Sequence, residues 1–130
     1  HRNLEAFDRL DFEGWNKVSK RTFDQLYASD VRVTHPDGAQ TQGLEVHSRG
    51  FVQSQQQMYS RITAHPVQVA QNEWTAVIGI SEIPLNDSTV YTIPVAAFAR
   101  WKEGKIIEQH LFMDNLSVAK ALEDRPGNKK

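Results

Sequence analysis

Cysteine is absent from this 130-residue chain, which excludes disulfides, thiolate metal sites and a cysteine nucleophile. Long hydrophobic runs are missing as well. The longest, such as Ile-Pro-Val-Ala-Ala-Phe-Ala at 93–99, are far short of the roughly 20 residues that cross a bilayer as a helix. Neither sign of charge dominates: 15 basic and 16 acidic residues leave a net charge of −1, and the basic residues cluster only at Lys129-Lys130. Nucleic-acid binding draws on a concentrated basic surface, so neither nucleic acid nor membrane is an expected partner. Opening on His1 rather than Met, the chain leaves a removed export signal open; without one, the expected compartment is the cytoplasm. What is present, 39% hydrophobic and 24% charged residues, suits one folded domain that buries about two-thirds of its unfolded surface.

The N-terminal third has helical spacing. Leu4, Phe7 and Leu10 recur every three residues. After the acidic Asp11-Phe12-Glu13, which suits the positive end of a helix dipole, a second pattern runs through Trp15, Val18, Phe23, Leu26 and Tyr27. Asp30 to His35 alternates as a strand and stops at Pro36-Asp37-Gly38, a turn signal. A third helix is predicted after Gly43, with Leu44, Phe51, Val52, Met58, Tyr59 and Ile62 as its apolar stripe. The second half reads as four strands rich in β-branched and aromatic residues. Short connections at Gln71-Asn72-Glu73, Asn86-Asp87-Ser88 and Lys102-Glu103-Gly104 favour antiparallel neighbours. A short helix, Asn115 to Glu123, and a flexible tail, 124–130, close the chain. Helices first and hairpins afterwards predict an α+β fold: a curved, mostly antiparallel sheet with the N-terminal helices on its concave face, leaving a cone with an apolar wall.

This order, with Tyr27 to Gly38, the Gln42-Gly43-Leu44-Glu45 helix start and the run Ala99-Arg100-Trp101-Lys102-Glu103-Gly104-Lys105-Ile106-Ile107-Glu108 through to Asp114, resembles the nuclear transport factor 2-like (cystatin-like) superfamily. Within it, the chain is most similar to the SnoaL-like branch, which contains polyketide cyclases. The resemblance spans about residues 3–123 of a single domain covering 1–130. It implies a cone-shaped α+β barrel, an aspartate at the end of the last strand that serves as general acid/base, no cofactor and no metal.

Alternation places Glu108, His110, Phe112 and Asp114 on one face of that strand and Ile107, Gln109, Leu111 and Met113 on the other. If the ionisable face lines the cone, Asp114 is the acid/base. An apolar pocket would raise its pKa into a working range. The competing role is N-cap of the helix that follows. His110 lies about 13 Å from Asp114 at ~3.3 Å per strand residue, so a substrate could bridge the two. His35 shares a face with Val31 and Val33, and Glu82 one with Trp74, Ile78 and Ile80. The candidate catalytic residues are therefore Asp114, His110 and His35, with Glu82, Phe98, Phe112, Tyr27 and Trp15 as pocket lining. His35, His110, Glu82 and Asp114 offer metal-ligand chemistry but no local His-x-His or His-x-x-x-His pair. On the next strand back, Tyr91, Ile93, Val95, Ala97 and Ala99 make an apolar row that faces either the cone or a partner in a homodimer. Two functional readings stay open. One is a cofactor-independent cyclase, isomerase or dehydratase acting on a small hydrophobic, ring-containing molecule; the other is a non-catalytic ligand-binding or association module.

Overall fold

The structure, a computed structural model, describes residues 1–86 and 88–125. Asp87 of the Asn86-Asp87-Ser88 connection and 126–130 of the expected tail lie outside the described residues. Helix α1, Arg2–Arg9, starts at His1, whose Nδ1 accepts from the Asn3 amide. It does not stop before the acidic triplet. It widens into a π-helical stretch, Leu10–Trp15, in which the Asn16 amide reaches back five residues to the Asp11 carbonyl at 2.9 Å. The second helix therefore begins later than the sequence pattern suggests. Ser19 caps it, its Oγ accepting from the Thr22 amide, and α2 covers only Lys20–Gln25. Tyr27, expected on that helix, instead opens strand β1, Tyr27–Thr34.

A short strand β2, Gln40–Gln42, and helix α3, Leu44–Met58, follow. Tyr59 ends α3 in the left-handed conformation and Ile62 belongs to the next strand, so the last two positions of the expected stripe fall outside the helix. The second half is β3, Arg61–Gln71, β4, Trp74–Asn86, β5, Thr89–Lys102, and β6, Lys105–Phe112, then α4, Asn115–Glu123. Glu103 and Gly104 both take positive φ, 53° and 79°, the geometry of the tight turn whose twist matches the strands it joins.

The six strands form one curved sheet in the order β2-β1-β6-β5-β4-β3. β1 runs parallel to β6 and the remaining pairs are antiparallel. Since β2 and β3 are opposite edges, the sheet stays unclosed. The N-terminal helices pack on its concave side, where Phe7, Leu10, Phe23, Val31, Phe51 and Trp101 belong to the main core. A smaller cluster of Ile83, Ile93 and Val118 ties α4 to the far ends of β4 and β5. Arg125, placed by sequence in the tail, donates from Nη1 to the Gln57 carbonyl at 2.6 Å and from Nε to the Pro84 carbonyl at 3.0 Å. The apolar row of β5 faces inward: Ile93, Val95 and Ala97 border the hollow left between the two clusters. Among the described residues, no helix is long and apolar enough to cross a membrane.

Candidate active site

The hollow between helices and sheet is a cavity of about 590 Å³. The last strand turns toward it the side opposite to the one expected. Gln109, Leu111 and Met113 border the cavity, whereas Glu108, His110 and Phe112 stand on the outer face, paired with Arg100, Phe98 and Ala96 of β5. The hydrophobic effect accounts for this choice, since the inward set carries no ionisable group and the outward set carries two. On the outer face His110 Nε2 meets Glu108 Oε2 at 2.7 Å, and Arg100 links to Glu73 at 2.9 Å. Phe98 and Phe112 meet edge to face there with ring centres 5.8 Å apart. Glu82, paired with Arg61 and Thr92, is on that outer face as well, because Ser81 and Ile83 take the inward positions.

Asp114 lies beyond the strand. Its Oδ1 accepts from the Ser117 amide at 3.0 Å and its Oδ2 from the Ser117 hydroxyl at 2.6 Å, making it the N-cap of α4. Those bonds hold the exposed carboxyl below the ordinary carboxylate range, the reverse of what a general acid needs. Asp114, His110, Glu82, Phe98 and Phe112 are thus removed from the site. Of the residues singled out in the sequence, His35, Tyr27 and Trp15 border the cavity.

The carboxyl that does border the cavity is Asp11. The π-helical stretch carries it inward, three residues after Asp8, and both face His65 of β3. His65 Nε2 meets Asp11 Oδ2 at 2.7 Å and its Nδ1 meets Asp8 Oδ1 at 2.8 Å. The imidazole is the most deeply buried of the three side chains, 3% exposed, between Asp11 at 17% and Asp8 at 44%. The ring of Phe12 lies 4.6 Å from the imidazole and that of Phe7 5.6 Å, and Gln68 Nε2 donates to Asp8. Gly79 of β4 leaves the space the ring occupies, for a Cβ there would come within 3.4 Å of His65 Cδ2. Burial pushes the Asp11 carboxyl up, against the opposing pull of His65. Burial alone would lower His65, but its bonds to Asp11 and Asp8 outweigh that and raise it. The pair therefore holds protons more tightly than either group would in water.

Beyond Asp11, Tyr27 Oη donates to Gln109 Oε1 at 2.8 Å, and burial, reinforced by the Asp11 charge, keeps the phenol protonated. His35 Nε2 lies 3.0 Å from Thr41 Oγ1. Next to it, His47 has its pKa lowered to about 4 by burial and by His35, and its Nε2 is buried without a hydrogen-bond partner. Trp15 Nε1 donates to Ser60 Oγ at 3.2 Å. Among the described residues no three His, Asp or Glu side chains converge as a metal site. The imidazole of His65 instead spends each nitrogen on a separate carboxylate. Asp8, Asp11, His47, His65 and Gln109 were not singled out from sequence. The available signal was two aspartates one helical turn apart.

The chain is thus an unclosed α+β cone with a mostly apolar hollow and the half-buried Asp11 carboxyl on its wall. A model of the SnoaL-like domain matches residues 5–109, and the chain belongs to that family. Among solved structures, a candidate SnoaL-like polyketide cyclase from Jannaschia sp. CCS1 superposes with a TM-score of 0.82 at 16% identity, over 96% of this chain and 94% of that one. TerC, co-crystallised with polyporic acid, gives 0.81 at 17% identity over 95% and 99%. IdmH, a candidate polyketide cyclase from Streptomyces antibioticus, gives 0.80 at 16% identity over 94% and 99%. These likenesses establish a shared nuclear transport factor 2-like fold. No curated protein matches the sequence.

Proposed function

We propose that this chain takes a small, largely apolar, ring-containing molecule with oxygen functions into its cavity and moves a proton at a carbon beside a carbonyl, with Asp11 as the acid/base. One observation carries this reading. Asp11 combines a place on the cavity wall, a raised proton affinity and, among the described residues, an engagement with His65 through Oδ2 that leaves Oδ1 to the cavity side of the pair. A carboxyl so placed can take a proton from carbon and return it elsewhere on the same skeleton, which is the core step of a cyclisation, isomerisation or dehydration. Tyr27 and the neutral His47 supply polar contacts that would orient the ligand's oxygens. The chemistry needs no cofactor, only positioning in a site sheltered from water.

The ligand class is tested first by thermal shift and NMR titration, starting from polyporic acid and related ring compounds. For any compound that binds and is turned over, Asp11→Asn retains binding and loses turnover by at least a hundredfold. Undiminished turnover in that variant refutes the role. Binding without turnover in the wild-type protein favours the non-catalytic module.

The outer face supports a homodimer. Val67, Val69, Ile78, Phe98 and Phe112 expose apolar surface on one side of the sheet, an area that a second copy would cover. Phe112→Glu is expected to convert the dimer to monomer in sedimentation velocity.

A further inference from the structure

Among the described residues that border the cavity, Arg49 of α3 is the one permanent cation, and the acid/base chemistry gives it no task. We propose that Arg49 is a specificity-determining residue: it holds an ionised oxygen group of the ligand, a carboxylate or a comparably acidic enol, at the end of the cavity away from Asp11. The proposal deepens the functional reading above and rests on the cavity being the ligand site.

Three observations support it. The first is that Arg49 is unspent. Glu45, one turn earlier on α3, is the partner that helical spacing offers, yet among the described residues Arg49 enters no ion pair. A guanidinium left free at the border of an apolar hollow matches a planar oxyanion with two parallel hydrogen bonds. The second is that the wall beside it is open. Gly50 occupies the interior of α3, where glycine costs about 1 kcal/mol against alanine. A Cβ there would meet nothing within 4 Å, so packing does not ask for glycine. Gly50 borders the cavity with the exposed Val46 and Gln53, and its missing side chain keeps that border unobstructed. The third is that the two charges belong to opposite margins of the sheet. α3 starts beside β1, where the Gly43 amide donates to the Val31 carbonyl at 2.8 Å, and Arg49 follows within about two turns. Asp11 is tied to His65 of β3. β1 and β3 are four strand spacings apart, at ~4.8 Å each before curvature. An anionic group is drawn to Arg49 and repelled by the ionised Asp11, so charge sets which end of a ring compound lies against the acid/base. Of the other charges near this margin, Asp37 lies in the adjoining depression, its Oδ1 taken by the Ala39 amide at 2.9 Å. The net charge of −1 gives anions no general attraction to the protein.

The rival role is a solvated guanidinium that only makes α3 polar on its outer side. Isothermal titration of the full-length protein with 2-naphthoate and its uncharged counterpart 2-naphthamide separates the two. Wild type is expected to bind the naphthoate at least tenfold more tightly than the amide. Arg49→Gln is expected to erase that preference and leave the affinity for the amide unchanged. Arg49→Lys keeps the charge without the fork and retains part of the preference, whereas Glu45→Gln removes a competing carboxylate and enlarges it. Arg49 is exposed, so both of its variants are expected to melt at the wild-type temperature. Equal affinity for the two probes in wild type, binding of neither, or a preference that survives Arg49→Gln overturns the proposal. None of these measurements involves turnover. If Asp11→Asn leaves turnover intact while the preference follows Arg49, the acid/base reading fails and the anion site stands; if Asp11→Asn abolishes turnover while the preference is absent, the reverse holds.

Discussion

His65 and His110 stand on opposite faces of the same sheet, and each meets a carboxylate oxygen at 2.7 Å. By distance alone the two pairs are alike. His65 is 3% exposed, ringed by aromatics and gripped by a second carboxylate; His110 is 33% exposed, and its partner Glu108 also answers to Arg32 at 3.6 Å and Arg100 at 3.9 Å. Desolvation makes a buried pair consequential, whereas water and salt screen the outer one toward irrelevance. A sequence pattern that finds histidines and carboxylates together cannot distinguish these cases. Burial does.

The sharpest way to break this contrast is to delete each ring in turn. His65→Ala strands Asp11 without its partner and opens space beside Phe12, so a loss of about 3–5 kcal/mol is expected from urea unfolding. His110→Ala on the outer face is expected to stay within about 0.5 kcal/mol. Equal losses would show that burial is not what separates the pairs. Salt offers a second view, since the outer network weakens as ionic strength rises and the inner one does not.

A third histidine sharpens the comparison through pH. His47 is buried without a charged partner in hydrogen-bond contact, and its pKa falls from 6.5 to about 4. The unfolded chain therefore binds a proton there before the folded one does. His47 contributes stability above pH 6.5 that is lost as pH falls toward about 4, worth about 3 kcal/mol. His65 has the opposite sign: with its folded pKa raised above 6.5, its contribution is complete below that pH and fades as pH rises through the folded value. His47→Leu is expected to flatten the acid limb of the stability curve, while His65→Ala leaves that limb in place. Reversed outcomes would mean that the two environments have been assigned the wrong way round.

Much of the fold was legible because turns and alternation are local. Pro36-Asp37-Gly38, the Glu103-Gly104 turn and the β-branched segments placed β1 and the four later strands. The site was harder to read for two physical reasons. Alternation says which residues of β6 share a face but not which face is wet, and the ionisable set lost the competition for the interior to Leu111 and Met113. The π-helical widening at Leu10–Trp15 also has no periodic signature, since the acidic Asp11-Phe12-Glu13 reads equally as a new helix start. Asp8 and Asp11 acquire meaning only once β3 brings His65 across fifty-odd residues to meet them.

Asp114 carries the smallest expected effect and tests the same principle. A carboxylate with its pKa depressed by two hydrogen bonds from Ser117 is poorly suited to donate protons, yet well suited to satisfy free amides at a helix start. Asparagine serves as an N-cap nearly as well as aspartate. Asp114→Asn is therefore expected to leave thermal stability, cavity binding and any turnover unchanged, whereas Asp114→Ala lowers the melting temperature slightly by fraying α4 and still leaves ligand affinity intact. If Asp114→Asn abolished turnover in a protein that folded and bound normally, the acid/base function would return to the end of β6, and Asp11 and His65 would be reduced to a strut between the first helix and β3.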